Sequence, residues 1–473
     1  MEKKYPVGKR ELIYAGVVLL LALLAVNGLL YGGLNLVFSL GAAAIFVAMV
    51  VYLIKCGRRP TGYGIGLICL VLVILAGFVW SDDAFVKNVL LIFAALAMSL
   101  TVTIAAGKNR NDGRSIRSLG WAVLLPLTCG LGGLPYSMSG LAESLKSGKG
   151  KNVLSVLGGL IIAVPLLLIL VPLLIRADAA FDGMMALLPD FKFPEWFCTV
   201  FFGVCAAGML FTFGIALVYK EQQDSVQTSF KGVSKVTVST VLACVCAIYL
   251  MYMVSQLAYL SGGLSGILPE DFTVAEYARR GFFEMALLCL LNLSVMVGSV
   301  ALVRKDKGIP VLCRWLCGFI GLVTLFFVVS SAAKMGLYIE GYGLTRLRVL
   351  VLVITFFLGL CAGVVTVWLF VPRTPYMKII FLSAMVLGAI VLWADVDRLV
   401  ASYNVSAYLD GRLKHIDLEY LKSLSDGAVP AIKRLLEAGD GVVANNAREY
   451  LANRGCGYED IRGWNFASWL AER

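Results

Sequence analysis

The sequence predicts an all-α protein: a polytopic transmembrane helical bundle of about 11 spans, N-in and C-out, followed by a small C-terminal helical domain. Three observations carry this. Charge is scarce, 15% of 473 residues against 60% that are hydrophobic. The charges fall between apolar runs of roughly 20 residues, the length a helix needs to cross a bilayer while bonding its own backbone. The basic residues are also unevenly shared. If the N-terminus is inside, Lys and Arg in the inner loops outnumber Asp and Glu roughly three to one, the bias that orients membrane helices. The net charge of +11 is therefore read as positive-inside bias, and nucleic acid is not an expected partner.

The expected spans are 12–31, 34–54, 63–80, 88–107, 152–175, 196–219, 236–258, 281–303, 311–331, 349–371 and 378–394. The opening stretch, basic residues and then an apolar run, resembles a signal sequence. No small-x-small cleavage site follows and more spans come at once, so it is read as a retained first helix. The first two spans are joined by little more than Gly32-Gly33. Loop 55–60 is basic and fits inside, 81–87 is net acidic and fits outside, and 108–118 is again basic. Residues 119–145 are apolar but interrupted by Pro126, Pro135 and several glycines. Counted as a full span they would carry Lys146, Lys149 and Lys151 outside, so two short interfacial or re-entrant pieces on the inner face are preferred over a kinked twelfth span. Span 152–175 holds Gly158, Gly159, Pro165 and Pro172, residues that kink a helix and allow close approach. The domains so defined are 1–118, a four-helix membrane segment; 119–151, the interfacial segment; 152–394, a seven-helix core; and 395–473, a soluble or interfacial helical tail.

In the tail, Asp417 is placed to cap a helix reading LEYLKSL. Asp426-Gly427 precedes a second helix with Val429, Ile432, Leu435 and Leu436 at helical spacing, and a third runs over 441–453. GWNFASWL near the end carries two Trp suited to a lipid interface.

No catalytic residue, metal site or cofactor is assigned. Most of the 12 Cys lie inside apolar runs and His415 is the single His, so the thiols are read as small packing residues rather than ligands. Gly62, Gly64 and Gly66 lie in an apolar span with no preceding strand, which excludes a nucleotide loop. Asn404-Val-Ser406 matches a glycosylation sequon, a frequent chance match.

What stands out are four polar clusters at helix ends, all outer by this topology. They are Arg176 with Asp178; Glu276, Arg279, Arg280 and Glu284; Glu340, Tyr342, Thr345, Arg346 and Arg348; and Asp395, Asp397, Tyr403 and Asn404. Glu276, Arg280 and Glu284 share one helix face by their spacing of four. Charges near lipid are costly and face a cavity or a partner, and guanidinium groups fork onto phosphate or carboxylate. Mutual pairing that locks helix ends and docks the tail is the commoner outcome for such networks.

At these clusters the chain resembles a group of bacterial membrane proteins, domain of unknown function 4173, related to the 4153 group. The matching stretches are LLIRADAAF (173–181), AEYARRGFFE (275–284), YGLTRLRV (342–349), DVDRLVASYNV (395–405) and DLEYLKSLSDGAVPAI (417–432). The resemblance covers roughly 150 to the end. Arg176 stands where the group usually has Ser, and Ser402 where it usually has Arg. The group has no established activity, so the resemblance implies architecture and a shared polar face and transfers no catalytic residue.

The reading that follows is a multi-pass protein of the bacterial plasma membrane, regulatory or envelope-associated, with no enzymatic role assigned. Its expected partners are membrane lipids, with an envelope protein or an anionic ligand at the clusters. A transporter or lipid-handling protein, with its site at the outer end of 152–175, is the alternative. An intramembrane enzyme using Asp178, Glu284 or Asp395 as acid or base is a third.

Overall fold

The computed structural model describes residues 5–107, 126–145, 193–219, 233–263, 282–303, 309–437, 441–454 and 460–473. The expected span 152–175 lies outside them, as do Arg176, Asp178, Glu276, Arg279 and Arg280. The α-helices are α1 (Lys9–Gly32), α2 (Leu36–Lys55), α3 (Gly62–Trp80), α4 (Ala84–Ala105), α5 (Leu134–Leu145), α6 (Phe193–Tyr219), α7 (Lys235–Gly263), α8 (Phe282–Leu302), α9 (Val311–Tyr342), α10 (Arg346–Phe370), α11 (Tyr376–Ala394), α12 (Val396–Leu409), α13 (Leu418–Lys422), α14 (Val429–Glu437), α15 (Val442–Asn453) and α16 (Phe466–Glu472). No β-strand occurs among the described residues. Ten of the helices are long and apolar enough to cross a membrane, and they coincide with the ten expected spans that fall within the described residues. The chain is an all-α, multi-pass membrane protein.

Residues 126–145 are not one continuous helix. A π-helical turn over Pro126–Leu131 is followed by α5. Pro126 and Pro135 each lack the N–H that an uninterrupted helix would use. Residues 119–125 of the interfacial segment expected there lie outside the described residues.

The chain divides into two compact units. The first takes in α1–α6 and, from the far end of the chain, α16. The N-terminal segment expected over 1–118 is thus joined by α6, expected within the 152–394 core, which packs along α1. Small residues make that contact. A Cβ on Gly203 would stand 2.7 Å from Leu23 Cδ2 and 3.1 Å from Leu23 Cα, and one on Gly214 would meet Tyr14. In lipid there is no hydrophobic force between helices, so close backbone approach at small residues holds them. Tyr14 also stacks on Tyr52 with ring centroids 4.2 Å apart. Gly203→Ala is expected to cost about 1 kcal/mol by overpacking, read as a lowered midpoint of thermal unfolding in detergent. Gly16→Ala, on the partner helix α1 but facing open space, should leave that midpoint unchanged.

The second unit holds α7–α15. Here α9 packs on α7, α8 and α10. Its core includes a polar chain. Tyr249 donates to Asn292 Oδ1, Asn292 Nδ2 donates to Thr324 Oγ1 at 3.0 Å, and Thr324 donates to Ile320 O at 2.8 Å. Asn292 and Thr324 are fully buried, so each polar group needs the other. The buried thiols behave as small packing groups: Cys246 and Cys289 lie against the carbonyls of Leu316 and Thr324. At 32 residues, α9 is about 48 Å long by helical rise, well beyond the ~30 Å of a hydrocarbon core. It therefore continues eleven residues past the expected span end at 331 and carries Tyr338–Tyr342 with it.

Candidate functional site

In the second unit, three of the quoted stretches converge on the turn between α9 and α10. That turn is Gly343-Leu344-Thr345. Gly343 has φ +75°, a conformation glycine adopts without penalty, and a Cβ there would stand 2.6 Å from Asn404 Oδ1. Thr345 caps α10 by accepting from Arg348 N. Leu344 is bracketed by Asn404 of α12, whose Oδ1 accepts from Leu344 N at 2.7 Å while its Nδ2 donates to Leu344 O at 2.8 Å. Asn404 is 7% exposed; its amide is committed to the backbone, so the sequon at 404–406 does not present a free acceptor.

Arg346 opens α10 and forks onto Asp397 of α12, with Nε to Oδ1 at 2.7 Å and Nη2 to Oδ2 at 2.5 Å. Asp397 is fully buried and also accepts from Ser425 N at 2.8 Å. Arg346 N donates to the Tyr420 hydroxyl at 2.8 Å. Burial pushes the Tyr420 phenol above its ordinary range, against the lowering effect of the Arg346 N–H and guanidinium, so the hydroxyl stays neutral near neutral pH. Arg348 donates to the carbonyls of Tyr342 and Gly343, and its guanidinium lies 4.2 Å from the centre of the Tyr338 ring.

The corner from α11 into α12 is made by Asp395, the sole non-glycine residue with positive φ among the described residues, at +46°. Asp tolerates that region better than most side chains. Its carboxylate lies against Gly427: a Cβ at 427 would stand 2.6 Å from Oδ2. Asp426 is ion-paired to Arg454. The Ser425-Asp426-Gly427 turn thus meets both carboxylates of Asp395-Val-Asp397. Asp417 caps α13 through Tyr420 N at 2.9 Å, as the sequence predicts, and thereby sets Tyr420 under Arg346.

Of the predicted residues, the structure gathers Thr345, Arg346, Arg348, Asp395, Asp397 and Asn404. Glu340 and Tyr342 stand exposed on the last turn of α9, Glu284 is exposed in the first turn of α8, and Tyr403 faces Arg412 at 5.7 Å. Tyr420, Ser425 and Gly427 were missed as site residues, although all three lie in the quoted stretch 417–432.

A family model for a domain of unknown function, DUF4153, matches residues 65–435. The chain belongs to this family. Nothing among curated proteins or solved structures matches it. The DUF4153 match begins inside α3, well before the residue near 150 where the resemblance was expected to start, and it ends within α14.

The last residues of this DUF4153 protein form a second polar site, in the first unit, that sequence reasoning did not find. Leu36 N, an orphan donor at the start of α2, donates to Trp464 O at 3.2 Å. Asn465 Nδ2 donates to Asp82 Oδ1 at 2.8 Å, and Phe466 stacks on Trp80 at 4.3 Å. Arg462 pairs with Asp460 at 2.5 Å and Glu195 at 3.7 Å, beside the Tyr31 ring. Next to this docked segment, Lys87, 3% exposed, donates to Asn35 Oδ1 at 2.5 Å. The tail read as one domain is therefore shared: α12–α15 belong to the second unit and α16 to the first. The partners are as much as 383 residues apart, and no local pattern signals such pairs.

Proposed function

We propose that this protein is a non-catalytic platform of the bacterial cytoplasmic membrane, regulatory or envelope-associated. In this reading the polar cluster is a latch. It holds a helical cap, residues 396–454, on the α9–α10 hairpin so that the cap's outer face can bind a protein partner.

The observation that carries the reading is the Arg346–Asp397 fork. Arg346 gives two guanidinium donors to a buried carboxylate, and that carboxylate takes a third bond from the cap itself at Ser425 N. An anion-binding site would turn those donors outward. The cap's exposed surface instead carries both signs of charge, with Arg412, Lys414, Arg434 and Arg448 among Asp410, Asp417, Glu419 and Glu449, and this suits a protein surface better than an anionic ligand. Closer kinship with the 4173 group, and an N-in/C-out orientation with the cap outside, belong to the same proposal. The quoted stretches and the loop charge bias support them.

Complementation of a deletion strain under envelope stress tests it. Arg448→Glu with Glu449→Arg changes exposed α15 residues and should leave the protein at wild-type level while abolishing complementation. Full complementation by that folded variant would overturn the partner reading.

A further inference from the structure

In the first unit the start of α1 and the end of α2 come to one level. The two helices run antiparallel, with Gly28 against Phe38 and Gly41 against Ala25. Arg10 Nη1 donates to Lys55 O, the last carbonyl of α2, at 3.2 Å. This register places Lys9, Arg10 and Lys55 beside Arg58 and Arg59 of the turn that follows. Lys9, Arg10, Lys55 and Arg59 are exposed. The neighbouring carboxylate does not neutralise them at the surface. Glu11 is 5% exposed and turned inward, accepting from Gly8 N and from the Tyr219 hydroxyl, both at 2.9 Å. Beyond the basic level the same helices expose apolar rows: Ile13, Val17 and Leu20 on α1, continuing the face of Lys9, and Val47, Val51 and Ile54 on α2.

We propose that this basic collar is a binding site for anionic phospholipid, with the headgroup phosphate on Lys9, Lys55 and Arg59 and the acyl chains along the apolar rows. Charge complementarity selects the headgroup, since each basic residue near a membrane surface favours anionic lipid by a several-fold factor. The apolar rows select a lipid over a free anion, because a soluble phosphate has nothing to lay against Ile13, Val17 and Leu20. Arg10 is assigned a positioning role, since its guanidinium ties the two helix ends together. This site is independent of the cap and its partner.

The test uses the full-length protein in detergent micelles, offered equal amounts of phosphatidylglycerol and phosphatidylcholine, with bound lipid counted by native mass spectrometry. Wild type should retain phosphatidylglycerol over phosphatidylcholine by about tenfold or more. The Lys9→Gln/Lys55→Gln/Arg59→Gln variant should lose most of that preference, and the charge-preserving Lys9→Arg/Lys55→Arg/Arg59→Lys variant should keep it. Arg412→Gln/Lys414→Gln, which removes exposed charge from the second unit, should leave it unchanged. If the triple Gln variant does not fold, Lys55→Gln/Arg59→Gln asks the same question with two charges at the end of α2. The proposal is overturned by a wild type with no preference, by a preference unmoved in the Gln variants, or by millimolar inorganic phosphate displacing the lipid.

Discussion

Arg346→Ala should loosen the cap locally without unfolding the membrane helices. The substitution leaves Asp397 with its side chain fully buried and its counter-ion gone, whereas Arg346 itself was 26% exposed. Removing one partner of a buried pair costs roughly 3–5 kcal/mol because the remaining charge is uncompensated. The lower end applies here, about 3 kcal/mol, since water reaches the Arg346 side of the pair. The effect is best read as local stability: amide hydrogen exchange over α12 and residues 420–432 should accelerate roughly a hundredfold while the core of α9 is unaffected. Asp397→Asn should be milder, about 1 kcal/mol, because the amide can still accept from Ser425 N. Arg346→Ala combined with Asp397→Asn should recover much of the single Arg loss, since no bare carboxylate is left buried. Arg346→Lys should fall between, as an ammonium cannot make the two-toothed contact. Unchanged exchange in Arg346→Ala would mean that the fork does not hold the cap.

This cluster also shows what a sequence can carry and what it cannot. The spans were legible because the bilayer imposes a length and an apolar composition on each helix separately. Asp417 as a cap and the helix after Asp426-Gly427 were legible because caps and turns are local devices. The polar residues near 346 and 397 stood out because charge at the end of an apolar run is rare and costly. Mutual pairing was the commoner expectation, but which residue pairs with which was not legible. Nothing local says that Arg346 meets Asp397 rather than an anion, or that Gly427 is small because the Asp395 carboxylate lies against it. The end of α9 was misplaced at 331 because hydropathy registers the lipid-facing part of a helix, and α9 continues as Lys334–Tyr342 where that signal fades. The docking of α6 on α1 rests on Gly203 and Gly214, and a glycine on an apolar helix looks the same whether or not a neighbour sits against it.

The docked C-terminal segment yields the second large effect. Gly32→Ala should release residues 460–473 from the first unit. A Cβ at Gly32 would fall on the carbonyl and Cβ of Arg462, well inside van der Waals contact. The obstructing carbonyl is backbone and cannot swing aside as a long side chain would, so the segment has to move. Overpacking of this kind costs about 1–3 kcal/mol. Here it also removes bonds that depend on the same placement: Leu36 N to Trp464 O, Asn465 to Asp82, and the Trp80–Phe466 stack. Leu36 N would then need water or another acceptor in place of Trp464 O. The released segment should become open to limited proteolysis, and the fluorescence of Trp464 and Trp469 should shift to the red as they hydrate. Gly33→Ala separates clash from strain. Position 33 has φ +68° and ψ −158°, so alanine there is strained by about 1–3 kcal/mol, yet its Cβ meets only the Asn35 amide at 3.9 Å. If Gly33→Ala destabilises the α1–α2 turn but leaves the tail protected, while Gly32→Ala exposes it, the carbonyl of Arg462 is what Gly32 accommodates. If both variants keep the tail equally resistant, the segment is held elsewhere and Gly32 is small for another reason.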